Sequence, residues 1–433
     1  MSKYIIEKIK SRKITICIIG LGYVGLPLAF RFLDEKIKVI GIDNDIEKLK
    51  KIKDGTSYIE NKKFKKNNFY KEFQSNVSSD YSNAKHVDVI ILCLPTPLNK
   101  INNPDMSLLN NCVKKLCKFL KKDQALVLES TVYPGATFEL FKIINKKKKF
   151  SLGKNFYLIF SPERENPGDK LFSYKSTPKV VSGYSKLCSS IGFHLYKLLS
   201  KKVHLASSLK VAELSKLLEN TYRSVNIGLI NEFKIISKKL GVNVWEVINA
   251  ATTKNFGFRK FNPGPGVGGH CIPIDPIYLS WYMRKKNYRT KIIEISSKLN
   301  SAMPIYVSNQ IFNYIKKENI KTKKILFVGI AYKKNTADTR ESPSVDMIKR
   351  FLDKKFKIEF HDPFVKTFDL KNKLFKKKSI PLGKITRYKN DGFVIIGTDH
   401  KNLNYKKILK NSKIIFDTRG VYNNYNSKKV IFV

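Results

Sequence analysis

The chain has 433 residues, 42% of them hydrophobic, which is enough for two or three domains with buried cores and excludes a disordered protein. Its formal charge of +48 comes mostly from lysines spread along the whole length, which indicates a compositional bias rather than a nucleic-acid-binding patch. Six cysteines in a chain of this length do not indicate a disulfide framework. Without a signal-peptide core or an apolar run of about 18 residues, we expect a reduced, cytoplasmic protein that does not insert into membranes.

The first motif is a glycine-rich turn between an apolar, strand-like run at 14–19 and a helical pattern. Gly20, Gly22 and Gly25 form the spacing GxGxxG. In this position the glycines permit a tight turn, close approach of the backbone to a pyrophosphate, and packing of helix on strand. The motif therefore predicts a dinucleotide site.

An acidic residue follows the next predicted strand, 38–42. Asp43 lies roughly 20 residues beyond the glycines, where a carboxylate meets the ribose hydroxyls of NAD and would repel the 2′-phosphate of NADP. Lys48 is open to two interpretations, as a contact to the cofactor phosphates or as a solvent-facing helix lysine.

The alternation of strands and helices continues, and a polar residue follows each apolar run: Thr96 after 87–94, Thr131 after 125–129, and Glu163 after 157–160. In an open parallel sheet, ligands bind beyond the carboxyl ends of the strands. The alternative for each of these residues is that it caps the next helix.

A long helical pattern at 211–241 contains no proline and is predicted to connect two domains. Lys216 and Asn220 are four positions apart and share one face. A half-buried lysine stabilises a developing anion and an amide orders water, although an ordinary exposed pair is equally consistent with the pattern.

A second strand–helix alternation begins near 323 and continues to the end of the chain. Lys333 and Arg340 lie where its first strand meets its helix, a position suited to anionic groups. The sequence thus predicts an α/β protein of two Rossmann-like, doubly wound domains joined by a long central helix.

The segment 261–276, FNPGPGVGGHCIPIDP, holds four glycines, four prolines and one cysteine, Cys271. So many glycines and prolines exclude a regular helix or strand. Cys271 is either a nucleophile in a loop shaped around a ligand or an incidental cysteine in a surface loop.

Seven motifs together resemble the UDP-glucose/GDP-mannose dehydrogenase family along nearly the whole chain. In the order of the family they are GLGYVGLP at 20–27, LPTP at 94–97, ESTVYPG at 129–135, SPER at 161–164, AELSKLLEN at 212–220, GPGVGGHCIPIDP at 264–276 and TADTRESPS at 336–344. The resemblance implies an NAD-binding domain at 1–205, a central helical dimerisation region at 206–305 that holds the cysteine loop, and a UDP-sugar-binding domain at 306–433.

The resemblance also implies oxidation of a sugar C6 alcohol to a carboxylate with two NAD, in the synthesis of surface polysaccharide. Cys271 would be the nucleophile, Lys216, Asn220 and Asp275 would stabilise oxyanions and position water, and Glu163 would be the general base. The implied cofactor contacts are Gly20, Gly22, Tyr23, Val24, Gly25, Asp43, Lys48, Thr96, Thr131 and Arg340. The implied substrate contacts are Glu163, Arg164, Lys216, Asn220, Lys260, Phe261, Asn262, Pro263, Gly264, Gly268 and Lys333. No metal is expected.

The sequence SPERENPGD at 161–169 departs from the form common in UDP-glucose enzymes and is similar to the branch acting on UDP-N-acetylhexosamines. We expect UDP-N-acetylglucosamine as substrate, ahead of UDP-N-acetylgalactosamine and UDP-N-acetylmannosamine, with UDP-glucose a further alternative. The departure leaves the roles of Glu165 and Arg259 open. The competing classes are a two-electron NAD dehydrogenase and a basic nucleic-acid-binding protein.

Overall fold

A computed structural model describes residues 2–59, 63–164, 176–370 and 375–433. Glu165 and the rest of the departing segment, 166–169, lie outside the described residues. The chain divides into two compact units, 1–219 and 220–433. No helix in the described part of the chain is long and apolar enough to cross a bilayer.

The first unit is organised around one eight-stranded sheet. Its strands are β1 (Thr15–Ile19), β2 (Lys38–Ile42), β3 (Val77–Ser78), β4 (Val89–Leu92), β5 (Gln124–Leu128), β6 (Phe156–Phe160), β7 (Lys179–Gly183) and β8 (Val203–Leu205). They are arranged in the order β3-β2-β1-β4-β5-β6-β7-β8. Neighbouring strands are parallel except β6 and β7, which are antiparallel.

Helices cover both faces of this sheet. They are α1 (Ser2–Lys10), α2 (Gly25–Asp34), α3 (Ile46–Lys53), α4 (Asn68–Ser75), α5 (Ser107–Leu116), α6 (Ala136–Lys148) and α7 (Lys186–Lys197). Alternate residues of β1 enter two separate cores, Ile16 and Ile18 on one face and Cys17 and Ile19 on the other. An apolar run without alternation is what a strand buried on both faces requires, and the predicted doubly wound fold is confirmed.

Helix α8 (Leu209–Lys239) has 31 residues and passes from the first unit into the second. It begins and ends two residues before the predicted bounds, which is within the usual uncertainty of helix ends. The predicted long central helix is therefore confirmed.

The second unit contains a smaller parallel sheet. Its helices are α9 (Val244–Thr252), α10 (Asp275–Arg284), α11 (Lys291–Lys317), α12 (Pro343–Asp353) and α13 (Tyr405–Lys410). Its strands are β9 (Lys324–Val328), β10 (Lys357–His361), β11 (Thr367–Leu370), β12 (Phe375–Lys378), β13 (Phe393–Ile396), β14 (Ile415–Asp417) and β15 (Val430–Phe432). The sheet order is β10-β9-β13-β14-β15, and β11 pairs with β12 in a separate hairpin. This is the second Rossmann-like domain that the sequence predicts.

Candidate active site

The turn between β1 and α2 has the geometry that its three glycines predict. Gly20 has a φ of +91°, and a Cβ there would lie 2.7 Å from the carbonyl oxygen of Cys93. A Cβ on Gly25 would lie 1.9 Å from the carbonyl oxygen of Gly20. A Cβ on Gly22, in contrast, would meet no heavy atom within 4 Å. The turn thus presents bare backbone to open space at the start of a helix, which fits the pyrophosphate of a dinucleotide.

Asp43 follows β2 and forms a hydrogen bond with the backbone of this turn. Its Oδ2 accepts a hydrogen bond from the Leu21 amide at 2.7 Å, and its Oδ1 accepts one from the Asp45 amide at 2.9 Å. Each carboxylate oxygen has a second lone pair, so the group retains capacity for a ribose hydroxyl. Lys48 Nζ lies 3.4 Å from Asp45 Oδ2 and 3.9 Å from Asp43 Oδ2. Tyr23 of the turn is exposed and Val24 is half-buried.

The segments after β4 and β5 are joined by side-chain hydroxyls. Thr96 Oγ1 donates to the carbonyl of Thr131 at 2.8 Å, and Ser130 Oγ donates to the carbonyl of Leu94 at 2.7 Å. Both predicted residues therefore lie together at the carboxyl edge of the sheet. The Thr96 hydroxyl thus satisfies a backbone carbonyl of the neighbouring loop, and it does not cap a helix.

Glu163 follows β6 and meets the start of α8. Lys216 Nζ donates to the Glu163 carbonyl at 2.5 Å, and Glu163 Oε1 accepts from the Arg164 amide at 2.8 Å. The Arg164 guanidinium pairs with Glu219 at 2.7 Å and donates to the Pro178 carbonyl at 2.5 Å. Lys216 is buried, as one of the two interpretations of its helical pattern requires. The first unit thus brings Glu163, Arg164 and Lys216 together.

A buried charged cluster that sequence reasoning missed lies behind Glu163. The ammonium of Lys179 lies 2.7 Å from Glu129 Oε2 and 3.8 Å from Glu163 Oε2. Tyr196 Oη donates to Glu129 Oε1 at 2.5 Å. Burial raises the pKa of Glu129 to about 7, although the Lys179 charge acts in the opposite direction. The available signal was a lysine opening an apolar strand and a glutamate closing another.

In the second unit, the segment predicted to be irregular is irregular up to residue 274, and its last two residues begin α10. Cys271 is the exposed cysteine, whereas the other five are buried. The Cys271 carbonyl accepts from the Asp275 amide at 2.9 Å and from the Ile274 amide at 3.2 Å. This tight turn presents the thiol immediately before the amino terminus of a helix.

Asp275 opens α10 and is buried. Its Oδ2 accepts a hydrogen bond from the side-chain amide of Asn220 on α8. A carboxylate in the first turn is also stabilised by the helix dipole. The second unit therefore pairs Asn220 with Asp275, two residues that lie 55 positions apart in sequence.

The amino half of the loop is anchored by buried amides. The Gly264 amide donates to Asn231 Oδ1 at 3.0 Å, and Asn231 in turn donates to Asn300 Oδ1 at 2.9 Å. Lys260 Nζ donates to Asn249 Oδ1 at 2.8 Å. Of the remaining residues predicted to bind substrate here, Phe261 packs against the cluster around Trp245, Asn262 is exposed and Pro263 is buried.

The carboxyl half of the loop packs against the segment after β9. A Cβ on Gly268 would lie 2.4 Å from the carbonyl oxygen of Glu341, and one on Gly269 would lie 2.5 Å from the Tyr332 ring. The Gly269 amide donates to the Arg340 carbonyl at 3.2 Å. The Arg340 guanidinium pairs with Asp338 at 2.6 Å. Glycine is therefore required where these two segments touch.

Two further cationic residues belong to the second unit. Lys333 is half-buried on the segment after β9, close to the glycine contacts. Arg259, whose role the sequence left open, is exposed.

The chain matches the three models of one family in sequence order. The NAD binding domain of the UDP-glucose/GDP-mannose dehydrogenase family matches residues 14–200, its central domain 210–302, and its UDP binding domain 326–424.

Individual relatives match over almost their whole length. The UDP-N-acetyl-D-mannosamine dehydrogenase of Methanococcus vannielii is 32% identical, over 100% of this chain and 98% of the relative. The UDP-N-acetyl-D-glucosamine 6-dehydrogenase of Pseudomonas aeruginosa is 32% identical, over 94% and 97%. The solved UDP-N-acetyl-mannosamine dehydrogenase of Staphylococcus aureus is 30% identical with a TM-score of 0.80, covering 96% of this chain and 97% of that one. The chain therefore belongs to the UDP-glucose/GDP-mannose dehydrogenase family and is an NAD-dependent oxidoreductase of nucleotide sugars.

Proposed function

We propose that the protein oxidises the C6 hydroxyl of a UDP-N-acetylhexosamine to a carboxylate in two successive two-electron steps. The observation that carries this proposal is the exposed thiol of Cys271, held by a glycine-rich turn directly before the buried pair of Asp275 and Asn220. A two-electron alcohol dehydrogenase needs no nucleophile of this kind, whereas oxidation of an aldehyde to an acid through a thioester does.

NAD, when bound, supplies the hydride acceptor for both oxidations. The role of Cys271 begins after the first oxidation, when its thiolate adds to the aldehyde carbon and forms a thiohemiacetal. Oxidation of that adduct gives a thioester. Water then adds to the thioester carbonyl, the carbon–sulfur bond breaks, and the uronate leaves with Cys271 restored.

Proton transfer and charge stabilisation are assigned to four other residues. We assign Lys216, Asn220 and Asp275 to stabilising the developing oxyanions and positioning water. Glu163 is the general base that takes a proton from the attacking water. Hydrogen bonds within each unit support this assignment. Lys216 donates to the Glu163 carbonyl in the first unit, and Asn220 donates to Asp275 in the second.

Binding roles follow the same division. We assign the turn at Gly20–Gly25 with Asp43, Lys48, Thr96, Thr131 and Arg340 to NAD. The sugar nucleotide is assigned to Arg164, Lys333, Gly268 and the segment 260–264. The match of the UDP binding domain to 326–424 supports a role of the second sheet in holding the nucleotide. The functional regions that we propose remain 1–205, 206–305 and 306–433.

Two C2 epimers are the candidate sugars. The relatives include one enzyme named for UDP-N-acetyl-D-glucosamine and several named for UDP-N-acetyl-D-mannosamine, with identities of 31–33%. UDP-N-acetylglucosamine is the first expectation from the sequence, and the mannosamine epimer is the second candidate because those relatives and the Staphylococcus aureus structure favour it.

A homodimer through α8 is part of the proposal. One face of this helix carries apolar side chains that are exposed in the single chain. They recur every three, four or seven residues: Val211, Leu214, Leu218, Tyr222, Leu229, Phe233 and Ile236, and Leu240 directly after the helix continues the pattern. Such a stripe is the pattern that pairs helices. A second copy of the same helix would bury it.

The decisive experiment follows NADH formation with a panel of UDP-N-acetylglucosamine, UDP-N-acetylmannosamine, UDP-N-acetylgalactosamine, UDP-glucose and GDP-mannose. We expect two NADH per sugar with one of the N-acetylhexosamines, and no acid from the Cys271→Ser variant. Cys117→Ser is the matched control, because Cys117 is buried at the end of α5. One NADH per sugar, or full acid formation by Cys271→Ser, would contradict the thioester route.

A further inference from the structure

Strand β7, which runs antiparallel to β6, brings a lysine to the carboxyl ends of the parallel strands, where ligands bind in sheets of this kind. Because β7 runs against β6, its first residue lies beyond the carboxyl end of β6, where Glu163 follows. That first residue is Lys179, whose side chain is only 3% exposed. A buried lysine is costly unless it is paired, so its partners show what it is there to do.

On one side, Lys179 forms an ion pair with a buried glutamate, Glu129. Its ammonium lies 2.7 Å from Glu129 Oε2 and 5.0 Å from the centre of the Tyr196 ring. Tyr196, from α7, fixes the other oxygen of Glu129 with its hydroxyl. Glu129 itself directly follows β5 and is buried. Strand β7, the residue after β5, and helix α7 therefore determine together where this ammonium lies.

On its other side, Lys179 faces Glu163 Oε2 at 3.8 Å. Three other titratable or charged groups lie near Lys179 and Glu163. They are Cys93, which follows β4, Lys216, which donates to the Glu163 carbonyl, and Arg164, which follows Glu163 in the chain. The cluster therefore holds two carboxylates that share one buried ammonium. Because burial raises the pKa of Glu129 to about 7, protonation of Glu129 near neutral pH changes the charge that Glu163 experiences.

We propose that Lys179 is a positioning residue for the hydrolytic half of the reaction, in which it aligns Glu163 and balances the charge of its carboxylate. The inference rests on the proposed function of Glu163 as the base. As the water oxygen bonds to the thioester carbon, Glu163 takes the water proton and loses its charge, and the carbon–sulfur bond to Cys271 breaks. Lys179 then remains paired with Glu129, so no charge is left buried without a partner.

Two substitutions at opposite ends of the cluster should act in opposite directions. Lys179→Met removes the cation beside Glu163, so its carboxylate form is less favoured. Glu129→Gln removes the carboxylate that competes for Lys179, so that the ammonium interacts with the Glu163 carboxylate only. Lys8→Met is the matched control, because Lys8 forms a partly buried ion pair with Asp88 at 2.7 Å, and Asp88 lies at the amino end of β4, away from the carboxyl ends of the parallel strands.

The test measures single-turnover NADH formation and the decay of the thioester on Cys271, followed by intact mass, between pH 5.5 and 9. For Lys179→Met we expect thioester decay to slow about 10-fold or more, with hydride transfer changed less than about 3-fold. The acidic limb of the decay profile should move up by about one pH unit, and that of Glu129→Gln should move down. Lys8→Met should retain the parent profile.

The outcomes separate this inference from the proposed function. A parent enzyme that forms no thioester would refute the thioester route itself. If the parent enzyme forms the thioester, and the folded Lys179→Met and Glu129→Gln variants have the same decay profile as the parent, only the role of Lys179 is refuted. If circular dichroism shows that Lys179→Met does not fold, the Glu129→Gln variant decides. An acidic limb of thioester decay that stays at the pH of the parent, or moves up, overturns the inference.

Discussion

Asp43 orders the glycine turn, and it is also the residue that we propose to bind the ribose of NAD. Its two oxygens already order the glycine turn and the start of α3 through the amides of Leu21 and Asp45. The sequence predicts its place after β2 but not these amide contacts. A carboxylate whose orientation is already determined loses little entropy when a ribose hydroxyl arrives.

Replacing Asp43 with alanine should weaken NAD binding. The loss of a hydrogen bond to a charged group is worth about 1.5–3 kcal/mol, so we expect KM for NAD to rise about 10- to 100-fold. Steady-state kinetics at saturating sugar nucleotide measure this change. Asp45→Ala is the control, because Asp45 caps α3 and its loss should cost about 1 kcal/mol of stability with KM unchanged. Equal KM values for both variants would remove Asp43 from the cofactor site.

Glu129 should make stability depend on pH. Its pKa is raised to about 7 by burial, whereas in the unfolded chain it is near 4.3. Between these values the folded protein holds a proton that the unfolded chain has released, so stability falls as pH rises through this window. We expect the decrease in Tm between pH 5 and 7.5 to be smaller in Glu129→Gln by about 4 °C. Glu72→Gln, an exposed site on α4, should behave as the parent, and an unchanged Glu129→Gln curve would contradict the prediction.

The strands and the long helix could be predicted because their signals are local. The residues of β5 and β6 are all buried, and such continuous apolar runs are legible in the sequence. Strand β12, with the sequence FKKK, carries no such signal, and β7 opens on a charged residue. The cluster around Lys179 joins residues 50 positions apart, and no local pattern encodes that pairing.

The loop with Cys271 depends on its glycines for contact with the segment after β9. Gly268→Ala would place a Cβ 2.4 Å from the Glu341 carbonyl, and this backbone oxygen can move only with its segment. Because a displacement of about 1 Å near reacting groups costs about 100-fold, we expect kcat to fall by at least 10-fold.

Gly383→Ala provides the control for that prediction, since a Cβ there would meet no heavy atom within 4 Å. Its kcat and Tm should match those of the parent. A Gly268→Ala enzyme with the parent's kcat would show that the loop accommodates the added methyl group, and the proposed close packing would then be unimportant for turnover.

At the scale of the whole molecule, the exposed stripe on α8 predicts assembly. Leu229, 48% exposed in the single chain, lies near the middle of that stripe. Leu229→Glu would place a charge in the proposed interface, where an unpaired buried carboxylate costs several kcal/mol. We expect the parent to sediment as a dimer and this variant as a monomer.

Lys238→Gln is the control for the assembly prediction, because Lys238 is exposed on the same helix but lies nine residues after Leu229, on the opposite face from the stripe. It should sediment as the parent does. A parent that is monomeric at micromolar concentration, or a Leu229→Glu variant that remains dimeric, would contradict pairing through this face.

The first turns of α8 are attached to two different loops of the first sheet. Glu213 accepts hydrogen bonds from the amides at the start of α6, and Lys216 donates to the Glu163 carbonyl. One residue inserted between them would turn the rest of the helix by about 100° and break one attachment. The three-residue spacing of these two side chains therefore fixes how α8 is rotated about its own axis where it leaves the first sheet, and an insertion or deletion between them is expected only if the helix gives up one of the two attachments.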